Sequence, residues 1–429
     1  MELRPGYKLT EVGVIPKEWD AKPLGEVGEA LIGLTYKPSE VRKHGTLVLR
    51  SSNIQNDALA FGDNVFVDTE IPERIKVRPG DVLVCVRNGS RDLIGKSVLL
   101  DARVEGMTFG AFMAVYRSPI GKLASFLFQS EILKRQINEH LGATINQITN
   151  KSLNSFRIPV PPTEAERRSI AAALSDVDAL LGGLDRLIAK KRDLKQAVMQ
   201  QLLTGQTRLP GFHVEWEMKL LGELFRFSGG YSASRDRLSE KGHCYLHYGD
   251  IHGSSKTTID TDTDFQDIPK LNIALNRVSR DSLLEDGDVV FVDASEDDEG
   301  TSKHVVVVNK DRRPFISGLH TIVAKAKTEE LAHVYRRYCF QTAAIRRQFM
   351  FYAVGTKVSG ISKTNIAKLT LPIPSVPEQT AIAEVLSDMD AELAALQARR
   401  EKTHALKEGM MQELLTGRTR LVSPETTHA

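Results

Sequence analysis

Apolar residues in two stretches of the chain recur at alternating spacings of four and three positions. In the first stretch they are Ile170, Leu174, Val177, Leu181, Leu184 and Ile188, and in the second Ile382, Leu386, Met389, Leu393 and Leu396. This spacing predicts a long helix with a narrow apolar seam that packs along another long helix. We therefore predict that the two helices pair as a coiled coil. The alternative is that each helix packs separately on its own domain.

The two stretches are copies of one another. Residues 170–209 align with residues 382–421 at a constant offset of 212 without a gap, and 21 of 40 positions are identical. Both copies end in Leu-Leu-Thr-Gly, at Gly205 and Gly417. An internal repeat of this kind means that two parts of the chain form the same structural unit.

Start and stop signals bound each helix. Thr163-x-x-Glu166 and Ser375-x-x-Glu378 have the capping-box pattern, in which side chains satisfy free amides of the first turn. The glycine at each far end can adopt the left-handed conformation that closes a helix. The first helix is thus predicted over the 40 residues of the range 164–203, a length of about 60 Å at the helical rise.

Two helices paired antiparallel would meet at their midpoints, near Gly183 and Ala395. Glycines at 182 and 183 in mid-helix each cost about 1 kcal/mol relative to alanine. Close approach of the two backbones, Gly183 against Ala394 and Ala395, is the hypothesis that explains these glycines.

The residues before the first helix have the pattern of a domain with several short strands. Runs rich in Val, Leu or Phe predict strands at Thr46 to Ile54, Asp81 to Arg87, Lys96 to Leu100 and Ala111 to Arg117. A helix is predicted at Leu123 to His140. Several strands with few helices favour an α+β domain over a regular βαβ alternation.

The residues between the two helices repeat this plan more faintly. Trp19 and Leu24-Gly25-Glu26 are matched by Trp216 and Leu221-Gly222-Glu223, and Lys96 is matched by Lys303. The chain is therefore predicted to be a tandem repeat of an α/β domain followed by a long helix, related by a pseudo-twofold axis. The predicted boundaries are a first domain at 1–160, a helix at 161–208, a second domain at 209–374, a helix at 375–420 and a tail at 421–429.

Composition restricts the class of protein. With 429 residues, 41% hydrophobic and 26% charged, the chain is ordinary globular material for two or three domains. A formal charge of +2 means that any surface for nucleic acid is local or shared with a partner. Three scattered cysteines, Cys85, Cys244 and Cys339, favour neither a disulfide framework nor a metal site. With no leader or membrane-spanning run, we expect a cytoplasmic protein.

No pattern of an active site is found. The run 89–97 resembles a P-loop but has five residues between its glycines, where a phosphate cradle has four, so a turn between strands is favoured. The acidic run Glu296, Asp297, Asp298 and Glu299 could serve a nuclease metal, but a solvated loop is favoured. No Asn-Pro-Pro-aromatic or Asp-Pro-Pro-Tyr segment for base methylation is present. We predict no catalytic residue and no metal.

The layout resembles the DNA-specificity subunit of Type I restriction-modification systems over nearly the whole chain. The most specific segments are Ile-Pro-Val-Pro-Pro-x-x-Ala-Glu at 158–166, Leu-Pro-Ile-Pro-x-x-Pro-Glu-Gln at 371–379 and the two Leu-Leu-Thr-Gly ends. Arg167 departs from the pattern, because the second copy has the family-typical Gln379 at that place.

The resemblance implies a non-catalytic subunit with two target-recognition domains, each of which reads one half of a split, asymmetric sequence in double-stranded DNA. The paired helices would set the unread gap and dock two methyltransferase subunits. Those partners would carry S-adenosylmethionine, and restriction subunits joined through them would use ATP with Mg²⁺. The alternatives are a protein-interaction scaffold that does not bind DNA and an enzyme with unrecognised motifs.

Residues able to contact bases or phosphates in the predicted loops and strand edges are the candidate DNA-binding residues; for each, the alternative is a solvated surface side chain. In the first domain they are Arg87, Asn88, Ser90, Arg91, Lys96, Lys134, Arg135, Asn146 and Lys151. In the second domain they are His247, Tyr248, Lys303, Arg346, Arg347, Lys357, Ser359 and Lys363.

Overall fold

This computed structural model describes residues 4–143, 146–254, 256–295, 302–355 and 359–421, and the chain divides into two units within its long helices. The first unit contains Met1–Asp185 and Ala398–Ala429, and the second contains Arg186–Gln397. Each unit therefore combines one globular domain with the start of one long helix and the end of the other.

The first unit is built from short strands and helices before the first long helix begins. Its strands are β1 (Tyr7–Thr10), β2 (Gly13–Pro16), β3 (Asp20–Pro23), β4 (Glu29–Ile32), β5 (Val41–Arg42), β6 (Thr46–Leu49), β7 (Ile54–Gln55), β8 (Ala58–Leu59), β9 (Val65–Val67), β10 (Val82–Cys85), β11 (Ser97–Leu99), β12 (Thr108–Phe109), β13 (Met113–Arg117) and β14 (Arg157–Val160). Its helices are α1 (Leu24–Val27), α2 (Gly121–Gln129), α3 (Glu131–Ala143), α4 (Asn150–Ser155) and the long helix α5 (Glu164–Leu203).

Two sheets and a helical layer enclose the core of the first unit. One sheet has the order β11-β10-β13-β4 and is antiparallel, and the other has the order β12-β6-β9-β5. Successive side chains of a strand point to opposite faces. Val82 and Val84 pack with α2, α3 and the start of α5, whereas Leu83 and Cys85 pack against the second sheet. Because both faces of β10 are covered, its sequence is continuously apolar.

The second unit continues the chain from the middle of α5. Its strands are β15 (Glu217–Leu220), β16 (Phe225–Gly229), β17 (Leu238–Ser239), β18 (His243–Leu246), β19 (Thr258–Asp260), β20 (Lys270–Leu271), β21 (Val289–Val292), β22 (Ala294–Ser295), β23 (His304–Val308), β24 (Phe315–Ser317), β25 (Thr321–Ala326), β26 (Ser359–Gly360) and β27 (Thr370–Ile373). Its helices are α6 (Leu221–Leu224), α7 (Tyr248–His252), α8 (His333–Cys339), α9 (Ala343–Tyr352), α10 (Lys363–Ile366) and the long helix α11 (Val376–Leu414).

The second unit repeats the layers of the first. Its sheets have the orders β16-β25-β21-β23-β19 and β17-β20-β18-β24. Val289 and Phe291 of β21 pack with the helices, and Val290 and Val292 face the other sheet. The predicted α+β tandem repeat is therefore confirmed.

Two of the predicted elements in the first domain are wrong in extent. The helix predicted at 123–140 is two helices, because Ser130 adopts an extended conformation between them (ψ 160°) and its hydroxyl donates to the Leu127 carbonyl at 2.7 Å. The strand predicted at 46–54 ends at Leu49, because the Asn53 side chain accepts a hydrogen bond from the Arg50 amide at 2.9 Å and closes a 3-10 turn.

The long helices begin and end close to the predicted residues. Helix α5 has 40 residues, Thr163 caps it by accepting from the Glu166 amide at 3.2 Å, and Gly205 and Gly417 have left-handed φ angles of 70° and 69°. The capping-box role predicted for the glutamates is wrong, however. The carboxylates of Glu166 and Glu378 accept hydrogen bonds from arginines instead.

The two long helices run antiparallel in each unit. In the first unit Lys407 pairs with Asp178 at 2.7 Å and Arg400 pairs with Asp185. In the second, Lys191 pairs with Glu392 at 2.6 Å. The residue numbers of these paired positions rise along one helix as they fall along the other, so the two helices are antiparallel.

The predicted seam is buried most deeply near the helix starts. Ile170, Leu174, Leu181, Leu184, Ile188, Ile382 and Leu386 are buried. Val177, Met389, Leu393 and Leu396 are half-buried. The starts are deeper because Ile170 and Leu174 also join the core of the first domain, and Ile382 and Leu386 join that of the second.

The contact predicted between Gly183 and Ala395 is wrong. Gly183 lies between Asp178 and Asp185, whose partners are Lys407 and Arg400, so its register does not match Ala395. A Cβ atom added to Gly183 meets no heavy atom within 4 Å, and Ala395 is exposed. No close approach of backbones therefore explains this glycine.

A first prediction follows from the open space at Gly183. Gly183→Ala should raise the free energy of unfolding by about 1 kcal/mol, because alanine is the better helix former and no neighbour opposes its methyl group. Urea denaturation followed by circular dichroism measures this. Gly205→Ala is the matched control. Because Gly205 has a left-handed backbone conformation, the same substitution there should lower the free energy of unfolding. A loss of stability in Gly183→Ala would mean that a close contact does exist there.

A buried glutamate at the start of each long helix is neutralised by an arginine beyond the end of the other helix. In the second unit Arg208 donates to both oxygens of Glu378, at 2.5 and 2.7 Å, and Trp216 Nε1 donates to Glu378 at 3.1 Å. In the first unit Arg420 donates to both oxygens of Glu166. Paired donors of a guanidinium suit a carboxylate because two parallel hydrogen bonds form.

The first cluster is less complete than the second. Arg420 also pairs with Glu18 at 3.1 Å and lies over the ring of Trp19 at 5.8 Å. Trp19 Nε1 is buried and, within the described structure, has no hydrogen-bond partner. Glu166, whose side chain has 0% exposure, thus depends on Arg420 alone among the described charged groups that pair with it.

A second pair of equivalent contacts holds each domain to the helices. Lys407 donates to Gln129 at 3.1 Å and lies 5.6 Å from the ring centroid of Phe126. Lys195, at the equivalent place of the other helix, pairs with Asp390 and lies 5.6 Å from the Tyr338 ring centroid. Burial raises the pKa of Tyr338 to about 12, so its hydroxyl remains a donor, and it donates to Asp390 at 3.0 Å.

A second prediction concerns the arginine clusters. Arg420→Ala should lower the free energy of unfolding of the first unit by about 3 kcal/mol, because it leaves a buried carboxylate without its cation. Arg208→Ala should lower the free energy of unfolding of the second unit by a smaller amount, because Trp216 still donates to Glu378. Urea denaturation with hydrogen exchange of each unit measures both changes. Arg418→Ala is the control, since Arg418 is exposed and pairs loosely with Glu413 at 3.7 Å. Equal effects of Arg418 and Arg420 would contradict the role given to the cluster.

Candidate nucleic-acid interface

A loop at the carboxyl end of β10 contains the first group of predicted DNA-binding residues. It joins β10 to β11 through a 3-10 turn at Arg91–Leu93, and the Gly95 amide donates to the Cys85 carbonyl at 2.8 Å. The glycine-containing run is therefore a turn between two strands, as predicted.

Asn88 holds this loop against a neighbouring segment. Its Nδ2 donates to Ser51 Oγ at 3.3 Å, and its Oδ1 accepts from the Ser90 amide at 3.0 Å. Arg91 is exposed and donates to the Asn138 carbonyl of α3 at 3.2 Å. Asn88 thus orders the loop, and Arg87 is exposed beside it.

Two further candidates lie close to Arg87 or on the following helix. Gln147 forms a β-bridge with Arg87, which places its exposed neighbour Asn146 beside the loop. Lys151 is exposed in the first turn of α4. The structure thus brings Asn146 to the loop that sequence analysis selected.

Lys134 and Arg135 lie on α3 and contact acidic neighbours. Lys134 pairs with Glu131 at 3.6 Å and Arg135 with Glu139 at 4.0 Å. Arg135 also donates to the Glu11 carbonyl, between β1 and β2, at 3.5 Å. Arg135 is therefore directed toward that hairpin and away from the Arg87 loop.

Lys96 and Lys303 occupy equivalent positions and both face their own domain. Lys96 Nζ donates to the Ile54 carbonyl at 3.4 Å, and Lys303 Nζ donates to the His252 carbonyl at 2.6 Å. Both side chains are half-buried. Each ammonium thus joins two segments of one domain, and it has donors remaining for a second partner.

Three rings form a cluster in the second domain. The ring centroids of His247 and Tyr248 are 4.4 Å apart, and those of Tyr248 and His320 are 5.4 Å apart with the two rings perpendicular. His247 Nδ1 accepts from the Gly249 amide at 3.1 Å. Burial and the nearby cation of Arg235 lower the pKa of His247, so the neutral ring that accepts this hydrogen bond is favoured.

The other candidates of the second domain lie around α9 and α10. Arg346 and Arg347 are exposed on α9, and Lys363 is exposed at the first residue of α10. Ser359 begins β26, whose partner is β22. Lys357 and the acidic run 296–299 lie outside the described residues.

Three residues at these edges were not among the predicted DNA-binding residues. Phe112 is 58% exposed, and the Arg87 guanidinium lies over its ring at 5.1 Å from the centroid. Arg50 borders the same surface and pairs with Asp63 at 2.8 Å. His320 joins the ring cluster and was not among the predicted DNA-binding residues. Gly110 and Gly318 precede Phe112 and His320 by two residues, and this shared spacing could have identified both.

Neither a cluster of metal-binding side chains nor a membrane-spanning helix is found in the part of the chain that the structure describes. The described residues contain no group of three or more His, Cys, Asp or Glu side chains that could hold a metal ion. Among the helices they form, none is both long and apolar enough to cross a membrane.

Known proteins share both the sequence pattern and the fold. The Type I restriction enzyme EcoKI specificity subunit of Escherichia coli K12 is 25% identical over 403 residues, which cover 88% of this chain and 83% of that one. The S subunit of a Type I restriction-modification system from M. genitalium superposes with a TM-score of 0.54 at 14% identity, over 96% of this chain and 99% of that one. A structure described for complex assembly of the type I R-M system has a TM-score of 0.56 at 17% identity, over 94% and 99% of the two chains.

A family model matches each unit of the repeat in turn. The model of the Type I restriction modification DNA specificity domain matches residues 16–189 and again residues 213–403. Each match contains one globular domain and most of the long helix that follows it. The chain therefore belongs to the family of Type I restriction-modification DNA specificity proteins.

Proposed function

We propose that the chain is the DNA-specificity subunit of a Type I restriction-modification complex, and that each globular domain reads one half of a bipartite, asymmetric target. The observation that carries this proposal is the contrast within the repeat. The two units have the same layers and place an arginine and a lysine at equivalent positions on or just beyond the long helices, yet their exposed loops differ in chemistry. A common frame with different recognition surfaces suits two half-sites of different sequence.

The paired helices set the unread gap between the half-sites. Helix α5 runs without a break through the residues that join the two units, and α11 does the same. Recognition elements on one face of the duplex address half-sites about one helical turn apart, near 34 to 36 Å. The same helices dock two methyltransferase subunits, because the equivalent helix ends offer two copies of one surface.

Catalysis belongs to the partner subunits in this proposal. The methyltransferase subunits bind S-adenosylmethionine and modify adenine, and restriction subunits that join through them use ATP with Mg²⁺. The near-neutral charge of +2 suits a protein whose partners supply part of the phosphate contacts. The complex acts on cytoplasmic DNA.

A scaffold that binds only proteins is the less favoured alternative. Sequence-specific binding of DNA by the complex, with none by a complex that lacks both globular domains, would distinguish specific recognition from scaffolding.

A third prediction tests the function itself. Co-expression with the methyltransferase subunit and mapping of methylated adenines across the host genome should give one motif made of two different half-sites around a fixed gap. A continuous palindrome would contradict recognition by two separate domains. Absence of sequence-specific methylation by an assembled, active complex would favour the scaffold.

A fourth prediction concerns the gap. Insertion of seven residues into each helix, after Leu187 and after Arg399, adds about 10.5 Å to each helix while keeping its seam in phase. The mapped gap should lengthen by about three base pairs, at roughly 3.4 Å per pair, and both half-sites should stay unchanged. Insertion in the exposed loop beside Gly62, where an added Cβ meets nothing within 4 Å, is the control and should leave the gap as it was. An unchanged gap in the helix variant would show that the helices are not the spacer.

A further inference from the structure

We propose that one equivalent surface edge of each domain makes the base contacts, with Arg87 on Phe112 in the first domain and His320 beside Tyr248 in the second. This proposal rests on the proposed function and names the part of each domain that determines sequence specificity. It assigns Arg87 to a guanine and His320 to an exocyclic amino group of adenine or cytosine.

Backbone hydrogen bonds show that the two edges are equivalent. The Gly110 amide donates to the Leu49 carbonyl at 3.0 Å, and the Gly318 amide donates to the Leu246 carbonyl at 2.8 Å. Two residues later, the Phe112 carbonyl accepts from the Val86 amide at 3.0 Å. The same frame therefore presents Phe112 in one domain and a different residue in the other.

The second domain places His320 in that position. The His320 carbonyl accepts from the Asp293 amide at 3.1 Å. The segment after the preceding strand also matches, because the Asp250 side chain accepts from the His247 amide at 3.0 Å, as Asn53 accepts from the Arg50 amide at 2.9 Å. Phe112 thus corresponds to His320, and Arg50 corresponds to His247.

The first edge is suited to guanine. Arg87 is exposed at the end of β10, and the Phe112 ring beneath its guanidinium limits the conformations of that side chain, which reduces the entropy lost on binding. A guanidinium donates two parallel hydrogen bonds to O6 and N7 of guanine in the major groove. A cleft of about 590 Å³ lies beside Phe112 and is bordered by Tyr36, Arg50 and Ser51. Neighbouring bases can enter this cleft.

The second edge has a different hydrogen-bonding character. His320 Nδ1 lies 3.2 Å from Asp293 Oδ1, so the tautomer with its proton on Nδ1 leaves Nε2 as an acceptor. His320 is exposed and has a left-handed backbone, with φ of 55°. A strained backbone of this type persists where the surrounding turn fixes it. An acceptor held in this way matches the amino group of adenine or cytosine in the major groove.

Neither residue has a counterpart of the same type in the other domain. The position of Arg87 corresponds to Ala294, because Arg87 bridges Gln147 and Ala294 pairs with Gly360 at the same place. At equivalent backbone positions, the first domain therefore has an arginine over a phenylalanine and the second domain has a histidine beside a tyrosine. This is the difference that two domains reading different half-sites require.

The test uses the assembled complex with its methyltransferase subunits. Binding is measured on duplexes that carry the mapped target with one base pair changed at a time. Arg87→Ala should reduce discrimination at one G·C position of the first half-site about tenfold or more, and should leave the second half-site and the gap unchanged. His320→Ala should relax one position of the second half-site alone.

Arg87→Lys separates a base contact from a phosphate contact. Lysine keeps the charge but lacks the planar pair of donors, so this variant should bind the duplex changed at that position with nearly wild-type affinity and bind the intact target more weakly, which is a loss of discrimination there. Arg103→Ala is the matched control. Arg103 is also an exposed arginine over a phenylalanine, Phe61, at 5.5 Å, but it follows β11 at the opposite end of β10 from Arg87.

The outcomes are distinguishable. Equal weakening of binding to every duplex by Arg87→Ala, with full recovery in Arg87→Lys, would show a phosphate contact and overturn the assignment. Unchanged half-sites in folded Arg87 and His320 variants would overturn it as well, even if the wild-type motif is bipartite. Failure of the wild-type complex to give a bipartite motif would instead refute the proposed function. Equal melting temperatures of variants and wild type establish that folding is intact.

Discussion

The buried carboxylate at the start of each long helix is the constraint on which the rest of the structure depends. Glu166 and Glu378 are fully buried, and an unpaired charge in such a place is strongly destabilising. The arginine that neutralises each one follows the glycine that ends the other helix. Each unit can therefore form only when the start of one helix and the end of the other are both present, which explains why the chain divides across its helices and not between them.

This constraint fixes the arrangement of the long helices and the domain cores within each unit. The exposed edges of the domains remain free to differ. Lys407 and Lys195 make matching contacts with Asp178 and Asp390, and the apolar starts of both helices join the cores of the domains. Among the described residues, neither Phe112 nor His320 belongs to these cores or to these ion pairs. Phe112 can thus correspond to His320 without cost to folding, and a frame that tolerates such exchanges suits a protein whose role is to recognise different sequences.

Features with local sequence signals could be predicted from the sequence alone. Features that depend on residues distant in the sequence could not. The range of α5 followed from Thr163, the apolar spacing and Gly205, because caps and periodicity are local. The roles of Glu166 and Gly183 could not be predicted in this way. A capping box is the ordinary explanation for such a glutamate, and a close helix contact is the ordinary explanation for such a glycine. Only the folded chain brings Arg420 to Glu166. The candidate loop at Arg87 was identified from residue type, whereas Phe112 was missed because an isolated phenylalanine is more often part of a core.

Grafting one domain onto both positions of the frame tests the central claim most directly. Residues Trp216–Pro372 would be replaced with a copy of Trp19–Pro159, which keeps both helices, Arg208 and Arg420, and the methylated motif of the assembled complex would be mapped. The account predicts a motif with two copies of the first half-site and the original gap. Retention of the original asymmetric motif would contradict it, as would a folded, active complex whose motif contains neither half-site.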